Sequence, residues 1–143
     1  MNPLGFAIAN IKTTEFAILE ENFDQEIDNE FSTGFRVAAN TEEKFIAVKF
    51  DVQFKSQKKT VIKLAVECAF EIDENDFSNF QNKENNELNI PGALCRHLAV
   101  ITVGTSRGIL HEKLNETNFD DIILPSINVT EHIKDDVVKL GSK

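Results

Sequence analysis

From Val48 onward apolar and polar residues alternate strictly: Val48, Phe50, Val52 and Phe54 are interleaved with Lys49, Asp51 and Gln53. A period of two places one set of side chains on a buried face and the other in water, which predicts a half-buried strand. After the polar turn Ser56 to Lys59 the alternation resumes with Ile62, Leu64, Val66, Cys68, Phe70 and Ile72 on one side. Lys63, Glu67 and Glu71 lie on the other, joined by Ala65 and Ala69. Two long strands around a short polar turn predict an antiparallel hairpin over residues 44–73.

Upstream, Phe31, Thr33, Phe35, Val37 and Ala39 predict a further strand, with Arg36 on its opposite face. Thr14 to Phe23 is another strand candidate with less distinct faces, Phe16 and Ile18 against Ala17 and Leu19. The simplest assembly is a four-stranded antiparallel meander over residues 6–73. Glu74 to Asn89 is polar and asparagine-rich and reads as a loop, interrupted by Phe77 and Phe80.

The period then changes. Pro91 suits the first turn of a helix, and Leu94, Leu98, Ile101 and Val103 follow helical spacing, with Ala99 and Val100 filling much of the remaining circumference. A helix apolar nearly all round is covered on more than one side. One sheet covers one side, so a second surface, another subunit, is implied. Arg107-Gly108 suits the end of that helix, glycine being favoured at the left-handed cap. His111 to Asp121 is polar again, Pro125 breaks a short apolar run, and Asn128 or Thr130 caps a final helix to about Leu140, with Ile133, Val137 and Leu140 as its stripe. The whole is one α+β domain, residues 1–143: a four-stranded antiparallel sheet with two C-terminal helices packed on one face.

Composition changes this picture in two places. The chain has 12 Phe and neither Tyr nor Trp, an aromatic set without polar handles that suits dry contact. Its net charge of −9 disfavours nucleic acid and anionic membranes, which need a basic surface. No run reaches the ~20 apolar residues of a spanning helix, and residues 1–10 lack the basic start of a secretory signal. The expected compartment is the cytoplasm, where the sequons at Asn115 and Asn128 carry no meaning. Cys68 and Cys95 sit in apolar runs and read as buried reduced thiols.

Catalytic patterns are scarce. His97, His111 and His132 have no spacing that shares a helix face, and Cys95 and His97 point about 200° apart on a helix. That opposes a shared metal and a thiolate–imidazole pair. Gly104 to Gly108 lacks the Lys and Ser/Thr of a phosphate loop. No metal, cofactor or enzymatic activity is expected. Two surface features remain. The acidic stretch holding Glu20, Glu21, Asp24 and Glu26 reads either as a solvated loop or as a surface for a basic partner. Phe77 and Phe80, with Leu88, read either as rings tucked over the core edge or as a groove for apolar segments of other proteins.

The order of these pieces resembles SecB, the tetrameric chaperone of bacterial protein export, and SecB-like proteins. The hairpin ending Val66-Glu67-Cys68-Ala69-Phe70-Glu71-Ile72 is similar to the family's central strand pair. Pro91-Gly92-Ala93-Leu94 is similar to its Pro-led helix start, Arg107-Gly108 to that helix's end, and Leu124-Pro125-Ser126-Ile127-Asn128 to its Leu-Pro-x-(Val/Ile)-Asn signature. Departures are Arg96-His97-Leu98-Ala99 where the family has Tyr-Ala-Arg, a longer connection around His111 to Asn118, and Val129 in place of an aromatic. The resemblance spans about residues 6–138. It implies a dimer of dimers through the long helices, with Leu94, His97, Leu98 and Ile101 as interface candidates. It implies that unfolded or non-native polypeptide is held without ATP, and that an acidic surface on the sheet side engages SecA. Two rivals stay open: an interaction protein dedicated to one partner, such as a toxin–antitoxin or mobile-element protein, and a small apolar ligand domain with a closed cavity between sheet and helix.

Overall fold

The computed structural model describes residues 5–141. The strong alternation forms β3 (Phe45–Ser56) and β4 (Lys59–Ile72), paired antiparallel. Gln57 and Lys58, at φ of 49° and 69°, make the tight turn between them. Both central residues of such a turn lie in the left-handed region, which glycine or asparagine normally fills. Here the Asp28 carboxylate compensates, accepting the Gln57 N–H at 2.9 Å and the Lys58 N–H at 3.0 Å.

β2 (Phe31–Asn40) pairs with β3 through ten residues without irregularity. β1 (Phe6–Ile18) starts well before the Thr14 expected from pattern, and its partner is β4. The strand order is therefore β1-β4-β3-β2, so the expected four-stranded antiparallel sheet is present but its meander is confined to β2, β3 and β4. Residues 19–30 carry the chain across the end of the sheet from one edge to the other, and backbone bonds from Leu19 to Val61 and from Asp28 to Lys55 tie them down. Adjacent strands pair by default when the connection is short; this twelve-residue connection is long enough to cross.

One sheet face is dry. Ile46, Val48, Phe50, Val66, Cys68 and Phe70 are fully buried beneath α2 (Gly92–Leu114) and a smaller antiparallel sheet. That second sheet has the order β5-β6-β7, from β5 (Gln81–Asn82), β6 (Glu87–Pro91) and β7 (Val137–Gly141). Residues 74–89 are thus not the loop expected. They hold α1 (Glu74–Phe80), whose N-terminus is capped by Asp73 accepting from Asn75 and Asp76, and then β5 and the start of β6. The expected last helix is reduced to one turn, α3 (Val129–His132), capped by Asn128. The run beyond it is strand β7, in which Val138 and Leu140 are half-buried and Lys139 is exposed.

α2 passes through the expected stop at Arg107-Gly108. Gly104 and Gly108 lie on its open side, where an added Cβ meets nothing, and neither has positive φ. The left-handed position falls instead to Glu116, just past the Asn115 cap.

Candidate functional site

β2 and β1 are the edges of the main sheet, and β2 looks onto a cleft. Its larger compartment, about 530 Å³, is lined by every residue from Val37 to Glu42 and by Leu88, Leu140 and Gly141. A second of about 270 Å³ shares Val37 and Leu140 and runs on past Phe35, Val138 and His132. The cleft therefore lies between the rim of β2 and the underside of β7, with buried Leu88 of β6 at its floor. At its far end His132 Nε2 is 3.2 Å from Thr33 Oγ1 and its ring packs edge-on against Phe35, centroids 5.0 Å apart. Exposed Asn40 and Glu42 stand at its mouth.

The wall on the β7 side is held by the helix. The Gly92 N–H donates to the Asp136 carbonyl at 2.6 Å, and Arg96 Nη1 donates to the carbonyls of Ile133 and Asp135, each at 3.1 Å. Arg107 similarly donates to the carbonyls of Leu124 and Pro125. Two arginines of α2 thus fasten the irregular segment that follows it.

The sequence candidates are distributed differently. Phe77 and Phe80 are buried in the core on one face of α1, their rings 6.5 Å apart, and neither opens onto the cleft. Leu88 alone of the three lines it. Leu94 and Leu98 are buried toward the sheet, because the dry face of α2 runs Leu94, Leu98, Thr102, Ser106, Leu110 and Leu114. Thr102 and Ser106 are tolerated there because each hydroxyl donates to the carbonyl four residues earlier. The all-round apolar helix is in fact a one-sided stripe with a partly apolar back. His97 and Ile101 do lie toward that back, with Val100 57% exposed.

His97 packs on Phe6 and Lys113 Nζ lies over the Phe16 ring, so α2 runs alongside β1 in the same direction. Exposed Ile8 and Ile11 of β1 lie on the face of the sheet that α2 covers, registered with buried Phe70 and Cys68 of β4. The period of the helix was legible; which side the sheet takes was not.

Glu20, Glu21, Asp24 and Glu26 are exposed on the connection that crosses the sheet end. Its backbone is pinned by the buried Ser56 hydroxyl, which accepts the Asp24 N–H at 2.9 Å and lies 2.7 Å from the Glu26 carbonyl. The outer sheet face, by contrast, is mixed in sign: Arg36, Lys49, Glu67 and Lys12 are registered side by side across the four strands. Acidity is concentrated at the end of the sheet and not on its open face.

Both cysteines are buried and reduced. Desolvation pushes the Cys95 thiol up to about 11, and it raises Cys68 as well against weaker opposing hydrogen bonds from Thr102 and Thr105. Among the described residues no group of three or more His, Cys, Asp or Glu is placed to hold a metal ion, and no helix is long and apolar enough to cross a membrane.

No family model matches the chain, and no curated protein matches it. Solved structures similar to it include the following two. One is a protein of unknown function from Streptococcus agalactiae, 14% identical, with a TM-score of 0.41 over 89% of this chain and 99% of that one. The other is the Mycobacterium tuberculosis Rv1957 SecB-like chaperone in complex with a ChAD peptide from the Rv1956 HigA1 antitoxin, 10% identical, with a TM-score of 0.48 over 86% of this chain and 91% of that one.

Proposed function

We propose that this protein is a SecB-like holdase, which binds non-native polypeptide by apolar burial and catalyses nothing. The observation that carries the reading is the cleft beside β2, open to solvent and walled by Phe35, Val37, Val138 and Leu140. Burial is worth about 25 cal/mol per Å² of apolar surface, and the cleft sets these four side chains beside the polar groups of Asn40, Thr41 and Glu42, so it accepts many sequences by apolar burial and polar contact together. A closed ligand cavity is not favoured, because the space between α2 and the sheet is filled by side chains and the cleft opens at exposed Asn40 and Glu42.

Self-association belongs to the same reading. Ile8 and Ile11 on β1 and Val100 on α2 leave apolar surface exposed, and Gly104 and Gly108 leave room for a second helix to approach. A second copy covers that surface. The exposed carboxylates Glu20, Glu21, Asp24 and Glu26 offer a basic partner a surface at the end of the sheet, reached without blocking the cleft.

Light scattering with and without an unfolded client, paired with aggregation of several unrelated unfolded proteins, tests the proposal. The expected result is an oligomer that gains client mass and suppresses aggregation of all of them. Val100→Glu is expected to leave a folded monomer. Suppression confined to one protein points to a dedicated-partner role, and a monomer that ignores every client overturns the reading.

A further inference from the structure

The two edges of the main sheet are not equivalent. β1 pairs with β4 through two register breaks, at Ile8/Asn10 and Thr13/Glu15, and such bulges blunt an edge against further pairing. β2 has neither a break nor a proline over its ten residues. Its other side has no strand partner among the described residues, so alternate N–H and C=O groups along it face outward. An unguarded regular edge is a template for another strand, and here that edge is the one that borders the cleft.

The cleft's lining adds two constraints. Its larger compartment touches consecutive residues of β2, Val37 through Asn40. In a strand consecutive side chains point to opposite faces, so this space abuts the rim of β2 and not just one of its faces. The facing wall presents Val138 and Leu140, two residues apart and both half-buried. That spacing matches the repeat of side chains along one side of an extended chain.

Resting on the reading of the cleft as a polypeptide site, we infer that an extended segment of the bound polypeptide adds to β2 as a fifth strand, every second side chain lying against Val138 and Leu140. Phe35 to Asn40 spans roughly 20 Å at ~3.3 Å per residue, so the segment is about six residues long. Main-chain bonds supply affinity without sequence, and the alternate side chains favour apolar, β-branched residues. A lone strand suits the space better than a second copy of β2, which arrives with its own sheet and its own β7 attached.

The test uses the full chain and the peptide Ac-Lys-Val-Thr-Val-Thr-Val-Thr-Lys-NH2. Hydrogen exchange at saturation is expected to slow at least tenfold at alternate β2 amides between Phe35 and Asn40, with the intervening amides, already donated to β3, unchanged. N-methylating the three valines or the three threonines is expected to weaken binding more than tenfold in one set only. Equal effects of the two sets, or protection on β1 instead of β2, overturn strand addition. So does alternate β2 protection that appears with protein concentration and no peptide, which makes the occupant a second copy. If the peptide does not bind while unfolded proteins are still held, strand addition fails alone; if no polypeptide is held, the functional reading fails with it.

Discussion

Gly92→Ala separates the wall of the cleft from the rest of the fold. The added Cβ collides with the Asp135 carbonyl oxygen and comes within 3.0 Å of the Asp136 carbonyl carbon. Backbone cannot swing aside as a side chain can, so the segment 133–136 must move off the start of α2. Three hydrogen bonds are then at stake: Gly92 N–H to Asp136, worth about 1 kcal/mol, and the two from Arg96, each about 1.5 kcal/mol because the donor is charged and half-exposed. Alanine recovers about 0.5–1 kcal/mol of helix propensity, which leaves a net loss of about 3 kcal/mol. Arg96→Ala removes two of the bonds without the clash and is expected to cost about 3 kcal/mol. Because both changes release one segment, the double variant is expected to lose less than the two losses combined. Urea unfolding gives the global figure, and hydrogen exchange places it: amides of Val137 to Gly141 speed up while those of β3 and β4 hold their rank. Unchanged stability together with unchanged exchange in β7 refutes the staple.

Phe77→Ala, in a fully buried ring, is expected to destabilise by about 3–5 kcal/mol. Denaturation midpoints check it, and a fall in client binding with stability intact contradicts a core role. The Cys95 thiol, raised by burial to about 11, is on the order of one part in a thousand thiolate at pH 8. Its reaction with a disulfide reagent should follow the unfolding rate; immediate labelling contradicts the burial. Since its folded value lies above the unfolded one, the associated stability is complete below about pH 8.5 and falls as pH rises toward 11. Asp28 is shifted the other way, lowered by the backbone N–H of Lys58 and then that of Gln57. Its contribution is present above about pH 3.9 and is lost as pH falls through the depressed value, so Asp28→Asn should be less stable at pH 7 with a shallower acid limb in pH-dependent urea titrations.

The hairpin was legible because twenty-odd residues keep one period, and nothing competes with such a signal. The same rule failed where runs are short. Val137-Val138-Lys139-Leu140 satisfies a helical stripe and a strand equally, and pairing with β6 decides for the strand. Asp73 followed by Asp76 was a readable helix start that would have placed Phe77 and Phe80 on one inward face; the many asparagines around them argued for a loop. Gly108 misled because glycine on an unpacked helix face costs about 1 kcal/mol, which a long packed helix absorbs. The cleft itself was least accessible. Its walls come from β2 and β7, a hundred residues apart, and no local pattern reports that two strand edges will face each other.

The pairing of β1 with β4 also has a consequence in time. Phe6 is matched with Ile72 and Ile18 with Ile62, so β1 leaves a ribosome dozens of residues ahead of the strand it pairs with. At ~5–20 residues per second that is several seconds, during which β2 and β3 can already pair through nearer contacts. Ile8 and Ile11 spend that interval on an unpaired ribbon. A chain proposed to shelter other nascent segments must first survive the same hazard in its own N-terminal strand.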